Sequence, residues 1–427
     1  MSDNKRVKLS CYLTCITMAV TANVSPLLFV TFNESYGISF SLLGLLIVLN
    51  FTTQIIVDLV FSFFGDRLDP HIAVKLTPPL ALLGLSIYAL SPIIFAHNVY
   101  IGLVIGTVIA SAASGLAEVL TSPLIASIPA DNPDAELSKL HSVYAWGTVG
   151  VILFSTLFFV LFTTEYWYVL MALFLVIPLI STLLFVNCTL PEIKRDKGDG
   201  ASPVKSLYRH GILYICLATI FMGGATELAM AQWASSYLEA AIGIPKAAGD
   251  IFGAALFAMM MGIGRTLYTK YGRHIELTLL LSAVGATVCY LIAALSPLPI
   301  LTLIACGMTG LFSSMLWPGT LIIIQDRIKG GGVMMFALMA AGGDLGASVA
   351  PQLIGAITDL IAASSVGGDI ASELGITAQA LGMKAGMLIS TLFPLIAIAL
   401  FFYLYKTRTE NKSLSVEAVT FGKTEKD

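Results

Sequence analysis

The chain has 427 residues, of which 57% are hydrophobic and only 11% are charged, and its formal net charge is −3. Soluble chains carry about 25% charged residues, so this composition excludes a water-soluble protein of two or three domains and favours a bundle of about a dozen apolar helices. The six cysteines form no CxxC pair, which argues against a zinc site and a disulfide framework.

The distribution of charges predicts where the chain crosses a membrane. No Asp, Glu, Lys or Arg occurs between Lys75 and Glu118, or between Glu276 and Asp326. Each gap is long enough for two crossings, because one helical crossing needs about 20 apolar residues. The short basic N-terminus continues into an apolar helix without a small-residue cleavage site, which indicates an uncleaved first span. Twelve spans are predicted, over residues 9–32, 40–64, 72–93, 98–127, 138–162, 165–188, 208–238, 248–270, 275–294, 298–324, 331–361 and 383–405.

The Lys and Arg residues predict the orientation of these spans. With the N-terminus placed in the cytoplasm, 21 of the 23 basic residues fall on the cytoplasmic side, and only Lys246 and Lys384 fall outside. This bias follows the positive-inside rule. It predicts a multi-pass protein of the plasma (inner) membrane with both termini in the cytoplasm.

The chain divides into two halves of similar organisation. Residues 189–207 are rich in Pro, Gly and mixed charge, and are predicted to form a cytoplasmic linker between a six-helix bundle at 1–188 and a second bundle with a cytoplasmic tail at 208–427. Six plus six spans with matching basic loops are typical of secondary transporters. In the loop after span two, Gly65, Asp66 and Arg67 form either a conformational latch, with Asp66 facing the positive end of a neighbouring helix, or an ordinary turn.

Acidic residues inside the spans are the leading functional candidates. Glu118, Glu227 and Asp344 lie in spans four, seven and eleven, where a carboxylate is costly unless it is paired, hydrated or protonated. Such a group binds and releases a proton as its surroundings open and close, and we interpret the three as proton-coupling residues. A structural hydrogen bond to a neighbouring helix is the alternative, which is weakest for Glu118. Asp58 is interpreted as structural.

The basic residues are absent from mid-depth, and Arg265 near the inner end of span eight lies deepest. Transporters of anions need a cationic partner in the cavity, so a neutral or cationic substrate is predicted. Amide and indole side chains at similar depth suit a polyol with apolar faces and hydroxyl edges, although such groups also join helices. The substrate-binding candidates are Asn23, Asn50, Gln54, Glu118, Trp146, Glu227, Gln232, Trp233, Trp317 and Gln352.

Motifs in four spans carry a family resemblance. They are Gly115, Glu118, Ser122 and Pro123; Leu140-His141, Tyr144, Gly147 and Gly150; Glu227, Trp233 and Tyr237; and Gly346, Pro351, Gly355 and Asp359. With these motifs the chain resembles the major facilitator superfamily, and within it the fucose permease-like sugar:proton symporters. It departs from that group at Ser122, where Asn is usual, at Val151, where Pro is frequent, and by one extra residue between Gly224 and Glu227.

The resemblance implies a fold of two pseudo-symmetric six-helix bundles and proton-coupled symport of a neutral sugar or polyol by alternating access. It implies that Glu118 is the protonatable, sugar-facing acid, and that Glu227 and Trp233 line the cavity in the second half. We expect no enzyme activity, no cofactor or metal other than the coupling proton, no nucleic-acid partner, and a monomer in the lipid bilayer. The alternatives are a proton-coupled exporter of hydrophobic or cationic compounds and, more distantly, a non-transporting receptor or a lipid scramblase.

Overall fold

The computed structural model describes residues 3–64, 69–129, 133–186, 188–191, 210–272, 274–328 and 332–421. Within these residues there is no strand, and twelve helical segments are long and apolar enough to cross a membrane. The predicted all-helical fold of twelve spans is therefore confirmed. Gly65, Asp66, Arg67 and most of the predicted linker lie outside the described residues, so the latch and the linker remain predictions.

The twelve spans are numbered in chain order, and several are interrupted. In the first half they are Asp3–Leu27 continued by Phe29–Tyr36, Phe40–Phe64, Pro70–Ala89, Val99–Ala126, Pro133–Phe162, and Trp167–Phe174 continued by Val176–Val186. In the second half they are Gly211–Ala240, Lys246–Gly249 continued by Asp250–Ala255 and Leu256–Tyr271, Ile275–Leu295, Pro299–Ser313 continued by Leu316–Arg327, Gly332–Ala363, and Ala378–Ser390 continued by Leu392–Phe421. Short helices at Ser91–Ile94, Thr164–Tyr166 and Ser365–Glu373 lie in the connections. We call inner the end at which span one starts, and outer the opposite end.

Span one is interrupted near its outer end by a proline. Its helix contains Pro26 and ends at Leu27, and Leu28 has φ −108° and ψ 5° before the next helix begins. Because proline has no N–H, the carbonyl of Ala22, four residues earlier, receives no helical hydrogen bond. The break therefore leaves main-chain acceptors available to other spans, as is usual where helices are broken inside membrane proteins.

Three of these acceptors join the two halves. Gln232 Nε2 donates to the carbonyl of Ala22 at 3.5 Å, and Ser236 Oγ donates to the carbonyl of Pro26 at 3.1 Å. The ammonium of Lys246 donates to the carbonyl of Leu27. We call the carbonyls of Ala22, Pro26 and Leu27 the acceptor row. All three donors lie in the outer parts of spans seven and eight, so the acceptor row holds the bundle closed at its outer end.

A carboxylate in span eleven makes a second contact between the halves. Asp359 accepts hydrogen bonds from the backbone N–H groups of Phe40 at 3.1 Å and Ser41 at 2.6 Å, the first residues of span two. A negative charge at a helix N-terminus satisfies unpaired N–H groups and interacts favourably with the helix dipole. This is the type of contact that the sequence predicted for Asp66 at the inner end, but here it lies at the outer end.

We expect Asp359→Asn to lower the stability of the closed protein, because the amide loses the negative charge that faces the two N–H groups. Loss of a helix-capping interaction costs about 0.5–2 kcal/mol, which corresponds to an apparent Tm lower by about 0.5–2 °C for a chain of this length. The measurement is thermal unfolding in detergent. The matched control is Asp369→Asn, since Asp369 is exposed on the outer helix Ser365–Glu373. Equal Tm values for the two variants would contradict the capping role.

Candidate transport site

A layer of polar side chains crosses the bundle closer to its inner end than to its outer end. We call Asp58, Glu118, Tyr144, Arg265 and Asp344 the polar layer. Each lies about 18 or 19 residues from the outer end of its span, which is about 27–28 Å at the helical rise of 1.5 Å per residue. Three of these residues come from the first half and two from the second, so the layer is shared by both halves.

The carboxylates of this layer interact with one another. Glu118 interacts electrostatically with Asp58, and Asp344 interacts with both Glu118 and Asp58. Like charges that share a site repel, and the repulsion is relieved when one of them binds a proton or a cation. The predicted proton-coupling residues Glu118 and Asp344 are thus brought together, and Asp58 joins them.

Glu118 faces the interior of the bundle, although its side chain is exposed. Ser111, two helical turns before it on the same face, is fully buried and donates to Asn50 Oδ1 of span two at 2.6 Å. The exposed apolar side of the helix carries Ile101 and Ile105 instead. Glu118 is therefore directed to the inside of the bundle rather than to lipid. Among the salt bridges formed by the described residues, none involves Glu118.

Glu227 has a cationic partner, which corrects the prediction that the cavity has none. Arg265 Nη2 lies 3.6 Å from Glu227 Oε1, and Arg265 Nε donates to the carbonyl of Ser314 at 3.2 Å. Glu227 Oε2 is buried without a hydrogen-bond partner. The backbone of Arg265 does lie near the inner end, but a long arginine side chain can place its charge far from its own Cα.

Tyr144 connects the two parts of the site. Its hydroxyl interacts electrostatically with Glu118, Glu227 and Arg265, so it lies near both the acidic residues of the polar layer and the ion pair. A phenol can donate and accept a hydrogen bond, which suits it to contact a polar solute. Within the described residues no group of His, Cys, Asp and Glu is arranged to hold a metal ion.

Comparison with known proteins identifies the family. Residues 11–351 match the sequence profile of the Major Facilitator Superfamily. The chain belongs to this superfamily. The resemblance predicted from its motifs is thereby confirmed, and the chain is a multi-pass membrane transporter. A comparison with proteins of curated function finds no match.

Solved structures of the superfamily share the fold of this transporter at low sequence identity. A bacterial homologue of the human lysosomal transporter Spinster, in an inward-facing and occupied conformation, has a TM-score of 0.75 and 12% identity over 94% of this chain and 96% of its own. A D-xylose-proton symporter has a TM-score of 0.69 and 14% identity over 92% and 96%. The E. coli fucose:proton symporter FucP has a TM-score of 0.56 and 16% identity over 96% and 99%.

Two predicted substrate-binding residues of this transporter line a small cavity outward of the polar layer. Asn50 and Gln232 contribute to a cavity of about 30 Å³, together with Ser25, Tyr88 and other residues. Tyr88 Oη donates to Ser25 Oγ at 2.9 Å. The volume is enough for about one water molecule. These amides therefore form a polar recess above the site, whereas Gln54 lies one turn inward of Asn50 on the same face.

Other predicted substrate-binding residues make contacts within the protein. Asn23 Nδ2 donates to the carbonyl of Ala19 in its own helix at 2.8 Å. An added Cβ at Gly343 would lie 2.5 Å from the ring of Trp317, so this indole packs against span eleven. Gln352 Oε1 is buried without a hydrogen-bond partner, next to Gly44 of the other half. Of these residues, Gln352 retains an unused acceptor.

The two other tryptophans predicted to bind substrate do not face the polar layer in this structure, and their role in substrate binding stays a prediction. Trp146 is 70% exposed on the same helix face as Leu153 and Leu157, which are also exposed, and this apolar stripe faces lipid. Trp233 is fully buried; its Nε1 donates to the carbonyl of Pro351 at 2.9 Å, and its ring centroid lies 5.2 Å from that of Phe29. Trp233 therefore packs between the two halves near the outer end of the bundle.

Asp58, which the sequence analysis interprets as structural, lies in line with two of the predicted substrate-binding amides. Asn50, Gln54 and Asp58 follow one another at intervals of four residues, so they share one helix face. Asp58 Oδ1 is buried and has no hydrogen-bond partner. The interval of four was a usable signal, because it continues a row of polar side chains to the depth of Glu118.

Proposed function

We propose that this transporter couples the uptake of a small neutral solute, a sugar or another polyol, to the entry of protons. The observation that carries the proposal is the position of Glu118. It is directed to the inside of the bundle, it has no cationic partner among the described residues, and it interacts with Asp58 of its own half and with Asp344 of the other.

The arrangement gives a physical reason for coupling. Asp344 belongs to the second half, whereas Glu118 and Asp58 belong to the first. When these carboxylates are charged, their repulsion opposes the approach of the two halves at the inner end. When a proton is bound, the repulsion falls and the inner end can close while the outer end opens. A proton bound from outside and released inside therefore follows the conformational cycle.

The remaining groups support a neutral solute. The charge of Arg265 is balanced by Glu227, so this part of the site presents no net charge. The hydroxyl of Tyr144 and the amide of Gln54 offer hydrogen bonds to hydroxyl groups. Three structural relatives are a D-xylose-proton symporter, a fucose:proton symporter and a nucleoside transporter. The charge bias of the loops supports an orientation with cytoplasmic termini, and we propose the inner membrane as the location.

The test is uptake of radiolabelled D-xylose, L-fucose and uridine into proteoliposomes with an acidic exterior. A gradient of one pH unit supplies about 1.4 kcal/mol per proton, which is about tenfold accumulation for one proton per solute. We expect accumulation of at least one probe, and its loss when a protonophore collapses the gradient. Uptake that is identical with and without the gradient, or absent for all three probes, would contradict the proposal.

A second candidate function is proton-coupled export of hydrophobic or cationic compounds. The observation in its favour is that Asp58, Glu118 and Asp344 form a cluster that attracts a cation as well as a proton. Ethidium efflux from cells tests it. Export that depends on the protein and is lost in Glu227→Gln would favour this candidate, whereas efflux equal to that of cells without the protein would remove it.

A further inference from the structure

A compact group of charged residues lies at the outer end, far from the polar layer. Lys246 Nζ is 3.2 Å from Asp250 Oδ1 and 3.9 Å from Glu239 Oε2. It also donates to the carbonyl of Leu27 in the other half, and it lies 5.6 Å from the ring centroid of Phe159. Lys246 is thus the only described cation in this cluster, and it is mostly buried.

Asp250 is the centre of the cluster. Its side chain is fully buried, and its carboxylate accepts hydrogen bonds from Ser235 of span seven and from Thr156 of span five, the latter at 3.2 Å. Asp250 begins the π-helical turn Asp250–Ala255. Such turns are rare in proteins, but a large share of them lie at functional sites. Next to it, Leu27, Ile152, Ala254 and Ala255 form an apolar cluster, which keeps water away from the carboxylate.

The two halves contribute different kinds of groups. Both charges of the ion pair lie on span eight, in the second half. The groups of the first half that contact Lys246 and Asp250 are neutral: the carbonyl of Leu27, the hydroxyl of Thr156 and the ring of Phe159. Glu34 of the first half interacts only with the like charge of Glu239. Opening of the outer end therefore separates no opposite charges from each other, and it gives water access to Asp250.

We infer that Asp250 and Lys246 form an outer lock, in which Lys246 makes the burial of Asp250 tolerable and thereby sets how readily the outer end opens. A buried carboxylate without a compensating cation is strongly unfavourable. If Lys246 is removed, the closed state keeps that carboxylate buried, whereas the open state hydrates it. Loss of the lysine therefore lowers the free energy of opening, and by more than the loss of one hydrogen bond would. Removal of both charges restores closure.

The experiment measures accessibility at the outer closure and does not depend on transport. Ala255 is 2% exposed in the apolar cluster, and the six native cysteines are buried, so Ala255→Cys serves as a reporter in nanodiscs treated with a bulky hydrophilic maleimide. Adding Lys246→Met is expected to raise the labelling rate about tenfold or more. Adding Asp250→Asn to Lys246→Met is expected to return the rate to within about threefold of the reporter alone.

Two further variants keep the result interpretable. Lys384→Met removes the other lysine assigned to the outer side. Lys384 lies on span twelve, whose helix Ala378–Ser390 packs against spans seven, nine and eleven of its own half. The labelling rate of the reporter should not change in this variant. Thr156→Val removes the hydroxyl from the first half without altering the ion pair, and should raise the rate only about threefold. Equal rates for Lys246→Met and the reporter alone, or a double variant as fast as Lys246→Met, would overturn the inference.

Because labelling needs no solute and no proton gradient, its outcome is separate from the uptake test. A transporter that carries none of the three solutes can still show the lock, and a sugar symporter can lack it. Size-exclusion profiles of each variant show whether the protein is folded. A variant that is labelled faster only because it unfolds would also expose its six buried native cysteines. Labelling of the same variant without Ala255→Cys detects this exposure. Such labelling would count against the lock.

Discussion

Glu118→Gln is expected to abolish proton-driven accumulation of the transported solute while leaving exchange of that solute across the membrane intact. Glutamine has nearly the shape of a protonated glutamic acid but cannot release a proton. The repulsion between Glu118 and its neighbours Asp58 and Asp344 is then absent throughout the cycle, so the halves still alternate. Under a gradient of one pH unit, the accumulation ratio should fall about tenfold, to simple equilibration.

The measurement compares two assays on the same proteoliposomes. Uptake under an acidic exterior reports coupling, and counterflow of labelled solute against internal unlabelled solute reports alternation alone. Glu373→Gln is the matched control, because Glu373 is exposed on the outer helix Ser365–Glu373; it should behave as the unaltered protein in both assays. Gradient-driven accumulation retained in Glu118→Gln would show that the coupling proton binds elsewhere.

Gly346→Ala is expected to cause one of the largest losses of stability among glycine-to-alanine substitutions in the spans. A Cβ at Gly346 would lie 2.1 Å from the carbonyl oxygen of Phe221 and 3.0 Å from the backbone nitrogen of Ala225. These are backbone atoms of span seven, so spans seven and eleven must move apart. Overpacking of this kind costs about 1–3 kcal/mol, and we expect an apparent Tm lower by about 1–3 °C in detergent.

Gly262→Ala is the matched control for that substitution. Gly262 lies in the helix Leu256–Tyr271, and a Cβ added there would meet no atom within 4 Å. Alanine is the better helix former by about 0.5–1 kcal/mol, so this variant should be neutral or slightly more stable. A Gly346→Ala protein as stable as Gly262→Ala would mean that the two spans are not held as closely as the structure shows.

The number of spans could be predicted from the sequence because it depends on composition alone. Apolar length and the positions of charges determine where a helix crosses, and the twelve helices lie close to the predicted ranges. The acids Glu118 and Asp344 could also be predicted as a site, since an ionisable residue inside a span is costly wherever its helix is rotated.

The orientation of individual side chains around a helix could not be predicted in the same way. Their depth in the sequence predicts that Trp146 and Trp233 both bind substrate, yet Trp146 faces lipid and Trp233 is fully buried near the outer end. Their positions depend on the rotation of spans five and seven, which an apolar sequence barely encodes because lipid and protein interior are similarly apolar. A hydrophobic pattern is informative only when one side of a helix is polar.

The contacts of long side chains and the partners of helix ends also could not be predicted from the sequence. Arg265 was placed by its position in the chain near the inner end, but its guanidinium approaches Glu227. Asp359 was not identified as a capping residue, because its partners Phe40 and Ser41 are more than 300 positions away in the chain. Contacts of this kind depend on how the two halves are docked.

The acceptor row has a consequence for mutagenesis. Its oxygens belong to the peptide backbone, so exchanging the side chain of Ala22 or Leu27 leaves them in place. A tolerated substitution at Ala22 would therefore not show that its oxygen is unimportant, and Leu27→Ala would report the loss of a buried apolar side chain rather than of the carbonyl that Lys246 contacts. Pro26 is the exception, since a residue with an N–H there would compete with Gln232 for the oxygen of Ala22. Tolerance to substitution in this segment would thus conceal its importance.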